Sequence, residues 1–377
     1  MSGKMKRRQF LKSSLGAGAL LGTGVTSSLA DALALAGTAN LSKVEARYYK
    51  KLEEREIECH LCPRECRLGD RERGYCGVRE NIDGTYYTLV YGKACAINID
   101  PIEKKPFFHF LPKTNALSIA TAGCNVNCKF CQNWQISQVR PEQVQPYNFP
   151  PRMVVETAHK YRCPSIAYTY SEPIVFFEYM YDTSLEARNQ SVRNTVVTGG
   201  HINPEPLQDL TKVVDAIKID LKAFSEDFFK KYVRGKLQPV LEAIKIVHKS
   251  QAWLEIVYLV IPTLNDSEAE IRRLCKWIMN EIGPDVPLHF TRFHPMYLLK
   301  NLPPTPITTL EKAHKIAIEE GLHYVYIGNV PGHPAESTYC PGCGKRLIKR
   351  VAYQIMELNL KSGRCIFCNT PIPGVWA

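Results

Sequence analysis

The spacing of the cysteines constrains this 377-residue chain more than any other feature of its sequence. Cysteines that lie two or three residues apart seldom satisfy disulfide geometry, but their thiolates readily converge on one metal ion or cluster. Disulfide frameworks belong mainly to short secreted chains, so the pattern predicts metal sites. Eleven of the 14 cysteines form three such groups. The groups are Cys59, Cys62, Cys66 and Cys76; Cys124, Cys128 and Cys131; and Cys340, Cys343, Cys365 and Cys368.

The net charge of +11 suggests at first a nucleic-acid or membrane-surface partner. Its distribution weakens that interpretation, because the excess lies at the two ends of the chain. Residues 1–36 carry a net +4 and residues 340–377 a net +5, which leaves +2 for the 303 residues between them. The body of the protein is therefore not a polycation, and no nucleic-acid partner is indicated. No apolar run predicts a transmembrane helix.

The first residues have the pattern of an export signal. The segment Lys6-Arg7-Arg8-Gln9-Phe10-Leu11-Lys12 precedes an uncharged stretch from Ser13 to Ala30, and Ala34-Leu35-Ala36 supplies a small-x-small cleavage pattern. This arrangement resembles a twin-arginine leader, which exports folded, cofactor-loaded proteins. We therefore expect residues 1–36 to direct the protein to the periplasm or the outer face of the membrane. A cytoplasmic protein with a basic tail is the alternative.

Predicted strands and helices alternate from residue 115 to residue 327. The strands are 115–122, 165–170, 193–198, 216–221, 253–260, 287–293 and 323–327. The helices are 151–161, 174–188, 204–214, 238–249, 266–282 and 309–320. The alternation predicts an α/β fold with a parallel sheet, which we expect to be a partial (β/α)6-type TIM barrel. A doubly wound sheet is the competing topology, and in both cases ligands bind at the carboxyl ends of the strands.

The flanking regions divide the chain further. We expect a leader at 1–36, a small cysteine-rich module at 37–110, the barrel at 111–335 and a zinc-ribbon-like module at 336–377. Residues 41–56 have a helical pattern. The segment Asn81-Ile82-Asp83-Gly84 before Thr85–Tyr91 predicts a β-hairpin.

The central cysteines follow the first predicted strand directly, with the spacing C-x3-C-x2-C. A [4Fe–4S] cluster normally takes four cysteines, so three thiolates in one loop leave one iron open for a small molecule. A zinc site or unrelated thiols are the alternatives. The place of the loop at a strand end, where ligands bind in such folds, favours the cluster.

The segment Gly123-Cys124-x3-Cys128-x-Phe130-Cys131 resembles the signature of radical S-adenosylmethionine (SAM) enzymes, and the resemblance extends along residues 110–330. Within that superfamily the chain is similar to pyruvate formate-lyase-activating enzymes. More narrowly, it resembles the radical SAM member of the AmmeMemoRadiSam system, which is associated with Memo-like and AMMECR-domain proteins. Those proteins are the partners that the resemblance implies.

The resemblance also implies which residues bind SAM. Ser171 and Glu172 lie where the activases carry Gly-Gly-Glu-Pro, a turn that binds the SAM amino group, although here Tyr170-Ser171 replaces the two glycines. In the segment Asp220-Leu221-Lys222, Lys222 would face the SAM carboxylate. His294 matches a histidine that contacts SAM, and Phe130 offers a ring near the adenine.

The implied function is that of a radical SAM enzyme, an activating-enzyme-like oxidoreductase. Such an enzyme cleaves SAM reductively at its cluster, and the resulting 5′-deoxyadenosyl radical abstracts hydrogen from a substrate. The substrate is a protein, as for glycyl-radical activases, or a small molecule. The electron would come from a low-potential donor of the flavodoxin or ferredoxin kind. The alternatives are an iron–sulfur electron carrier without SAM chemistry and a ribbon-based nucleic-acid-binding protein.

The outer cysteine groups predict two further metal sites. Cys340-x2-Cys343 and Cys365-x2-Cys368 are two pairs separated by 21 residues, which resembles a zinc ribbon with a closed, structural zinc site. The group from Cys59 to Cys76 suits either structural zinc or an auxiliary iron–sulfur cluster.

A reporter fused behind residues 1–40 tests the predicted leader. We expect export that stops when Arg7 and Arg8 are both replaced by Lys, because the twin-arginine pathway reads the arginine pair. Fractionation of cells that carry the two fusions measures the result, and retention of the unmodified fusion in the cytosol would contradict the prediction.

Overall fold

The computed structural model describes residues 41–377, so the predicted leader lies outside the described residues. The part before residue 95 is built from short antiparallel strands. They are β1 (Val44–Glu45), β2 (Tyr49–Lys51), β3 (Ile57–Cys59), β4 (Arg67–Leu68), β5 (Arg79–Ile82), β6 (Thr85–Thr88) and β7 (Lys93–Ala94).

The expected helix at 41–56 is wrong. These residues form β1, β2 and a single 3-10 turn at Glu53–Arg55 instead. β1 pairs with β6 and β2 pairs with β3, so strand partners elsewhere in the chain satisfy the backbone. Helix propensity is a weak preference that such tertiary pairing readily overrides.

The predicted hairpin is confirmed. β5 and β6 pair antiparallel, with Ile82 opposite Thr85. The two residues of the turn, Asp83 and Gly84, have φ angles of 54° and 77°. Two successive positive φ angles are the requirement of a type I′ turn, for which Asp-Gly is a preferred pair.

The main sheet has eight strands, and seven of them run parallel. Its edge strand β8 (Ala96–Pro101) is antiparallel to β9 (Asn115–Ala120). A short strand, β10 (Tyr147–Asn148), pairs with β7 outside this sheet. The remaining parallel strands are β11 (Ser165–Tyr168), β12 (Arg193–Thr198), β13 (Ala216–Asp220), β14 (Trp253–Val260), β15 (Leu288–Arg292) and β16 (Val325–Gly328).

The strand order across the sheet is β16-β15-β14-β13-β12-β11-β9-β8. The parallel strands thus lie beside one another in chain order, without the reversal that defines a doubly wound sheet. The structure therefore confirms an α/β fold with a mostly parallel sheet and rules out the competing topology. All seven predicted strands are present, with ends shifted by at most two residues.

Helices connect the parallel strands, and the longer ones bury an apolar face. They are α1 (Trp134–Ser137), α2 (Pro151–Lys160), α3 (Phe177–Asn189), α4 (Pro204–Thr211), α5 (Glu226–Phe228), α6 (Gln238–His248), α7 (Glu268–Glu281) and α8 (Ile307–Glu319). The six predicted helices are all present. α5 continues into one π-helical turn at Phe229–Val233, which packs beside the loop of the central cysteines. Within residues 41–377, no helix is long and apolar enough to cross a membrane.

The C-terminal part forms a small antiparallel unit that packs against β16, an edge strand of the main sheet. Its strands are β17 (Thr338–Tyr339), β18 (Arg346–Val351), β19 (Gln354–Leu358), β20 (Leu360–Lys361) and β21 (Arg364–Cys365). Buried Arg350 joins it to the body of the protein, since its guanidinium donates to the carbonyl of Phe108 at 2.7 Å. The unit shares a small core with Phe108 and with Tyr326 of β16.

Candidate functional site

The three central cysteines line one cavity of about 470 Å³. Their loop leaves the carboxyl end of β9 and is held by backbone hydrogen bonds from Asn127 to Val233 (3.0 Å) and from Lys129 to Tyr232 (2.8 Å). Cys128 is buried, and burial raises the pKa of its thiol to about 12. The protein offers these three thiols few bonding partners in the cavity. Binding to a metal cluster as thiolate ligands would give them partners.

The glycine before these cysteines is required by a close backbone contact. Gly123 has a φ angle of 97°, and a Cβ atom there would lie 2.7 Å from the carbonyl oxygen of Cys76 and 2.5 Å from Cγ1 of Val78. A side chain at this position would be strained and would clash with the N-terminal module. The loop of the central cysteines is therefore packed directly against the turn that carries Cys76.

Glu172 lies after β11 and ties two strand ends together. One of its carboxylate oxygens accepts hydrogen bonds from the Thr198 hydroxyl (2.6 Å) and the Ile174 amide (3.2 Å), and the other accepts from the Gly199 amide (2.9 Å). Burial raises the pKa of Glu172, while these three donors and nearby Lys222 oppose the rise. A carboxylate has about four lone-pair sites, so one site remains for a further donor in the cavity.

Asp220 and Lys222 lie at the end of β13, as the resemblance implied. The Lys222 ammonium is 3.3 Å from one oxygen of Asp220, and Lys218 contacts the other oxygen. Burial would lower the pKa of Lys222, but Asp220, the thiols of Cys128 and Cys131, and Glu172 together raise it above the ordinary value. The ammonium of Lys222 therefore stays charged beside the cysteine loop.

Tyr170 has a backbone conformation that glycine adopts readily. Its φ angle is 66°, a left-handed conformation that is rare for a bulky residue and is typical of functional sites. Its hydroxyl donates to Asp100, and the Lys105 ammonium lies 4.9 Å from its ring centre. Its carbonyl oxygen accepts from the Asn133 side chain at 2.8 Å. The contacts of the Tyr170 side chain with Asp100 and Lys105 therefore stabilise this turn, although it has no glycine at this position.

The hydroxyl of Ser171 is buried at the cavity and has no hydrogen-bond partner in the described part of the chain. Buried polar groups without partners are rare in native proteins, and a bound ligand is one explanation. An unpaired hydroxyl, one free carboxylate site and one ammonium therefore face the same space as the three thiols. This donor set fits a [4Fe–4S] cluster together with an amino acid group.

The structure brings five of the six predicted SAM residues together. Phe130, Ser171, Glu172, Asp220 and Lys222 all line the cavity, whereas His294 is exposed and does not line it. His294 follows β15 in a loop, and Thr291 of that strand borders the cavity instead. The structure thus gives His294 no contact with this space.

Sequence reasoning missed three groups around the cavity. Thr198 is the last residue of β12 and precedes two glycines. A polar residue at the end of a strand could have been recognised in the sequence as a candidate site residue. Lys218 alternates with Asp220 along β13, which puts both on one face, and Lys222 follows the strand. Asp100, which accepts the hydrogen bond from Tyr170, lies on β8. The alternation of strands and helices in the sequence did not predict this strand.

The outer cysteine groups differ in compactness. The four sulfur atoms of Cys340, Cys343, Cys365 and Cys368 all lie within 4.8 Å of one another, close enough to hold one metal ion. Among residues 41–377, no other group of three or more potential ligands was found with this compactness. The sulfur atoms of Cys59, Cys62, Cys66 and Cys76 do not reach the compactness of the C-terminal group.

Comparisons with known proteins agree with the geometry of the site. The sequence profile of the radical SAM superfamily matches residues 118–275. The uncharacterized protein MJ0808 of Methanocaldococcus jannaschii is 48% identical over 330 residues, which cover 87% of this chain and 98% of that protein. The chain belongs to the radical SAM superfamily and therefore uses SAM with a [4Fe–4S] cluster.

Two solved structures are similar to this chain at low identity. A radical SAM methyltransferase from Sphaerobacter thermophilus has 14% identity and a TM-score of 0.48, over 83% of this chain and 86% of that one. A domain of pyruvate-formate lyase-activating enzyme from Bacteroides vulgatus has 15% identity and a TM-score of 0.39, over 43% of this chain and 98% of that one.

Replacement of Thr198 by Val tests the hydrogen bond that supports Glu172. We expect the free energy of unfolding to fall by about 1.5–3 kcal/mol, because a hydroxyl that donates to a buried carboxylate is lost. Thr195→Val is the matched control. Thr195 is buried on the same strand but donates to the neutral carbonyl of Ile166, and its loss should cost only about 1 kcal/mol. Urea unfolding under anaerobic conditions measures both variants, and equal losses would contradict the role of Thr198.

Proposed function

We propose that this protein cleaves SAM reductively at a [4Fe–4S] cluster held by Cys124, Cys128 and Cys131, and that it then abstracts hydrogen from a substrate. The observation that carries the proposal is the meeting of these three thiols with Glu172 and Lys222 around one cavity. When bound, the cluster and SAM supply the cleavage of the sulfonium C–S bond that yields a 5′-deoxyadenosyl radical. The protein supplies the orientation and the shielding from water.

Each polar group of the cavity has a part in holding SAM. Lys222 pairs with the carboxylate of SAM, and the free acceptor site of Glu172 accepts a hydrogen bond from its amino group. The unpaired hydroxyl of Ser171 bonds the same amino acid end. Phe130 is buried against Phe228, with ring centres 5.9 Å apart, and offers an apolar surface for the adenine.

We infer further that the sheet curves into a partial barrel. Residues of β13, β14 and β15 that share one face, namely Lys218, Val257 and Thr291, line the same cavity as the cysteine loop. A flat sheet would present these side chains to a plane and would not enclose a cavity. The strand order without reversal supports the same inference.

The hydrogen donor that we propose is a protein, as for the glycyl-radical activases that the sequence resembles. Tyr353, at the turn between β18 and β19, lines the cavity and is half exposed. Val351, Met356 and Leu358 of the same hairpin also expose large apolar side chains. Apolar side chains gathered on one hairpin beside a cavity favour the docking of a macromolecule.

We propose zinc for the C-terminal group. Zinc–sulfur bonds of about 2.3 Å in a tetrahedron place the sulfurs about 3.8 Å apart. The Cys340–Cys368 and Cys343–Cys365 pairs lie 3.5 Å and 3.8 Å apart, which matches that geometry. Four thiolates close the coordination sphere, so this zinc would be structural and would hold the hairpin of Tyr353 beside the cavity.

The formation of 5′-deoxyadenosine tests the proposed reaction. After anaerobic reconstitution with iron, sulfide and SAM and reduction by dithionite, we expect 5′-deoxyadenosine from the unmodified protein and none above background from Cys128→Ala. Cys275→Ala is the control, because Cys275 is a buried thiol in α7, outside every cysteine group. Unimpaired formation in Cys128→Ala, or none in the reconstituted unmodified protein, would contradict the proposal.

Isotope transfer tests the proposed class of substrate. Extract of the source cells grown in D2O is dialysed into a protein fraction and a small-molecule fraction. If the donor is a protein, 5′-deoxyadenosine acquires deuterium from the retained fraction only, because the radical takes a hydrogen atom from its substrate. Mass spectrometry measures the label, and transfer from the dialysable fraction alone would contradict a protein substrate.

A further inference from the structure

The N-terminal cysteines come from two neighbouring turns. Cys59 ends β3 and Cys66 precedes β4, and the Cys59 amide donates to the Cys66 carbonyl at 2.9 Å across this hairpin. Cys62 lies in the loop between them. Cys76 lies in the turn before β5, where the Gly77 amide donates to the Gly74 carbonyl at 2.8 Å. The four thiols are near enough that each interacts electrostatically with the other three.

The spacing of these sulfur atoms differs from that of the C-terminal group. A single zinc ion draws four sulfurs to about 3.8 Å from one another, and the C-terminal cysteines already have that compactness. Among the described residues, neither the four N-terminal sulfur atoms nor the three central ones are as close together as those of the C-terminal group. In a [4Fe–4S] cluster each thiolate binds a different iron, so the sulfurs stand farther apart. The N-terminal group, like the central cysteines, therefore lacks the compactness of the C-terminal four-thiol site.

A buried cation stands beside these thiols. Arg79 is 1% exposed, and it interacts electrostatically with Cys59 and Cys76. Its Nη2 atom donates to Glu178 at 2.5 Å and its Nε atom to the carbonyl of Val175 at 3.2 Å. Its Nη1 atom is buried and has no hydrogen-bond partner in the described chain. A buried guanidinium with a spare donor suits an anionic metal–thiolate group as its neighbour.

We propose that Cys59, Cys62, Cys66 and Cys76 bind a second [4Fe–4S] cluster. All four irons would have cysteine ligands, so this cluster offers no open iron for SAM. Because Gly123 packs against the carbonyl of Cys76, this second cluster would lie beside the loop of the central cysteines. In that position it would be placed to carry electrons to the central cluster. The inference concerns a different set of residues from the proposed reaction and stands without it.

Metal analysis of the full chain with the central cysteines removed tests this proposal. The variant Cys124→Ala/Cys128→Ala/Cys131→Ala leaves the N-terminal group untouched. After anaerobic reconstitution we expect about four irons and four sulfides per chain in this variant, and about eight of each in the unmodified protein. We also expect one zinc in both. The reduced variant should show the electron paramagnetic resonance of a [4Fe–4S] cluster, and SAM should not change it.

Two further variants assign the metals. Cys62→Ala/Cys66→Ala should retain about four irons and a signal that SAM does change, and Cys343→Ser/Cys368→Ser should lose the zinc alone. Loss of all iron from the central variant, or a second zinc per chain that disappears in Cys62→Ala/Cys66→Ala, would overturn the second cluster. Both results leave the formation of 5′-deoxyadenosine by the unmodified protein as a separate question. The central variant decides the matter even if the N-terminal variant does not fold.

Discussion

The buried carboxylate of Glu172 is the constraint on which the rest of the site depends. It follows β11 and accepts from Thr198 and Gly199 at the end of β12, so it joins two strands at the edge where parallel strands present their carboxyl ends. Lys222 lies two residues beyond the end of the neighbouring strand β13, and its positive charge compensates that of Glu172. Because the strands are parallel and adjacent in chain order, short polar segments far apart in sequence meet around one cavity. The cysteine loop completes this arrangement from β9.

The parallel part of the sheet was predictable because its seven strands alternate with helices, and a buried parallel strand has a clear apolar pattern. The convergence of Glu172 and Lys222 followed from their places at strand ends. The positions of other residues do not follow from such a pattern. The place of His294 depends on the path of a loop, and the anchoring of Tyr170 depends on β8, which pairs antiparallel with β9 and precedes the predicted alternation of strands and helices. The helix expected at 41–56 failed because β1 and β2 pair with strands outside this segment, β6 and β3, which its own pattern does not show.

Cysteine spacing in the sequence identified three groups, but it does not encode how far apart the sulfurs stand in space. The C-terminal four are gathered closely enough for one ion, while the other two groups are more open. Backbone geometry makes that difference: the C-terminal pairs face each other from two tight turns, whereas the N-terminal cysteines are divided between a hairpin and a separate turn. The compactness of each group is therefore set by the fold and not by the cysteine spacing alone.

The central claim is that Cys124, Cys128 and Cys131 leave one iron open and that SAM binds it through its amino and carboxylate groups. Electron–nuclear double resonance of the reduced, reconstituted protein tests this directly with SAM that carries 15N in the amino group and 17O in the carboxylate. The account predicts hyperfine coupling from both labels to the cluster, absent when Cys128 is replaced by Ala. A fully assembled cluster that shows no coupling to either label would contradict it.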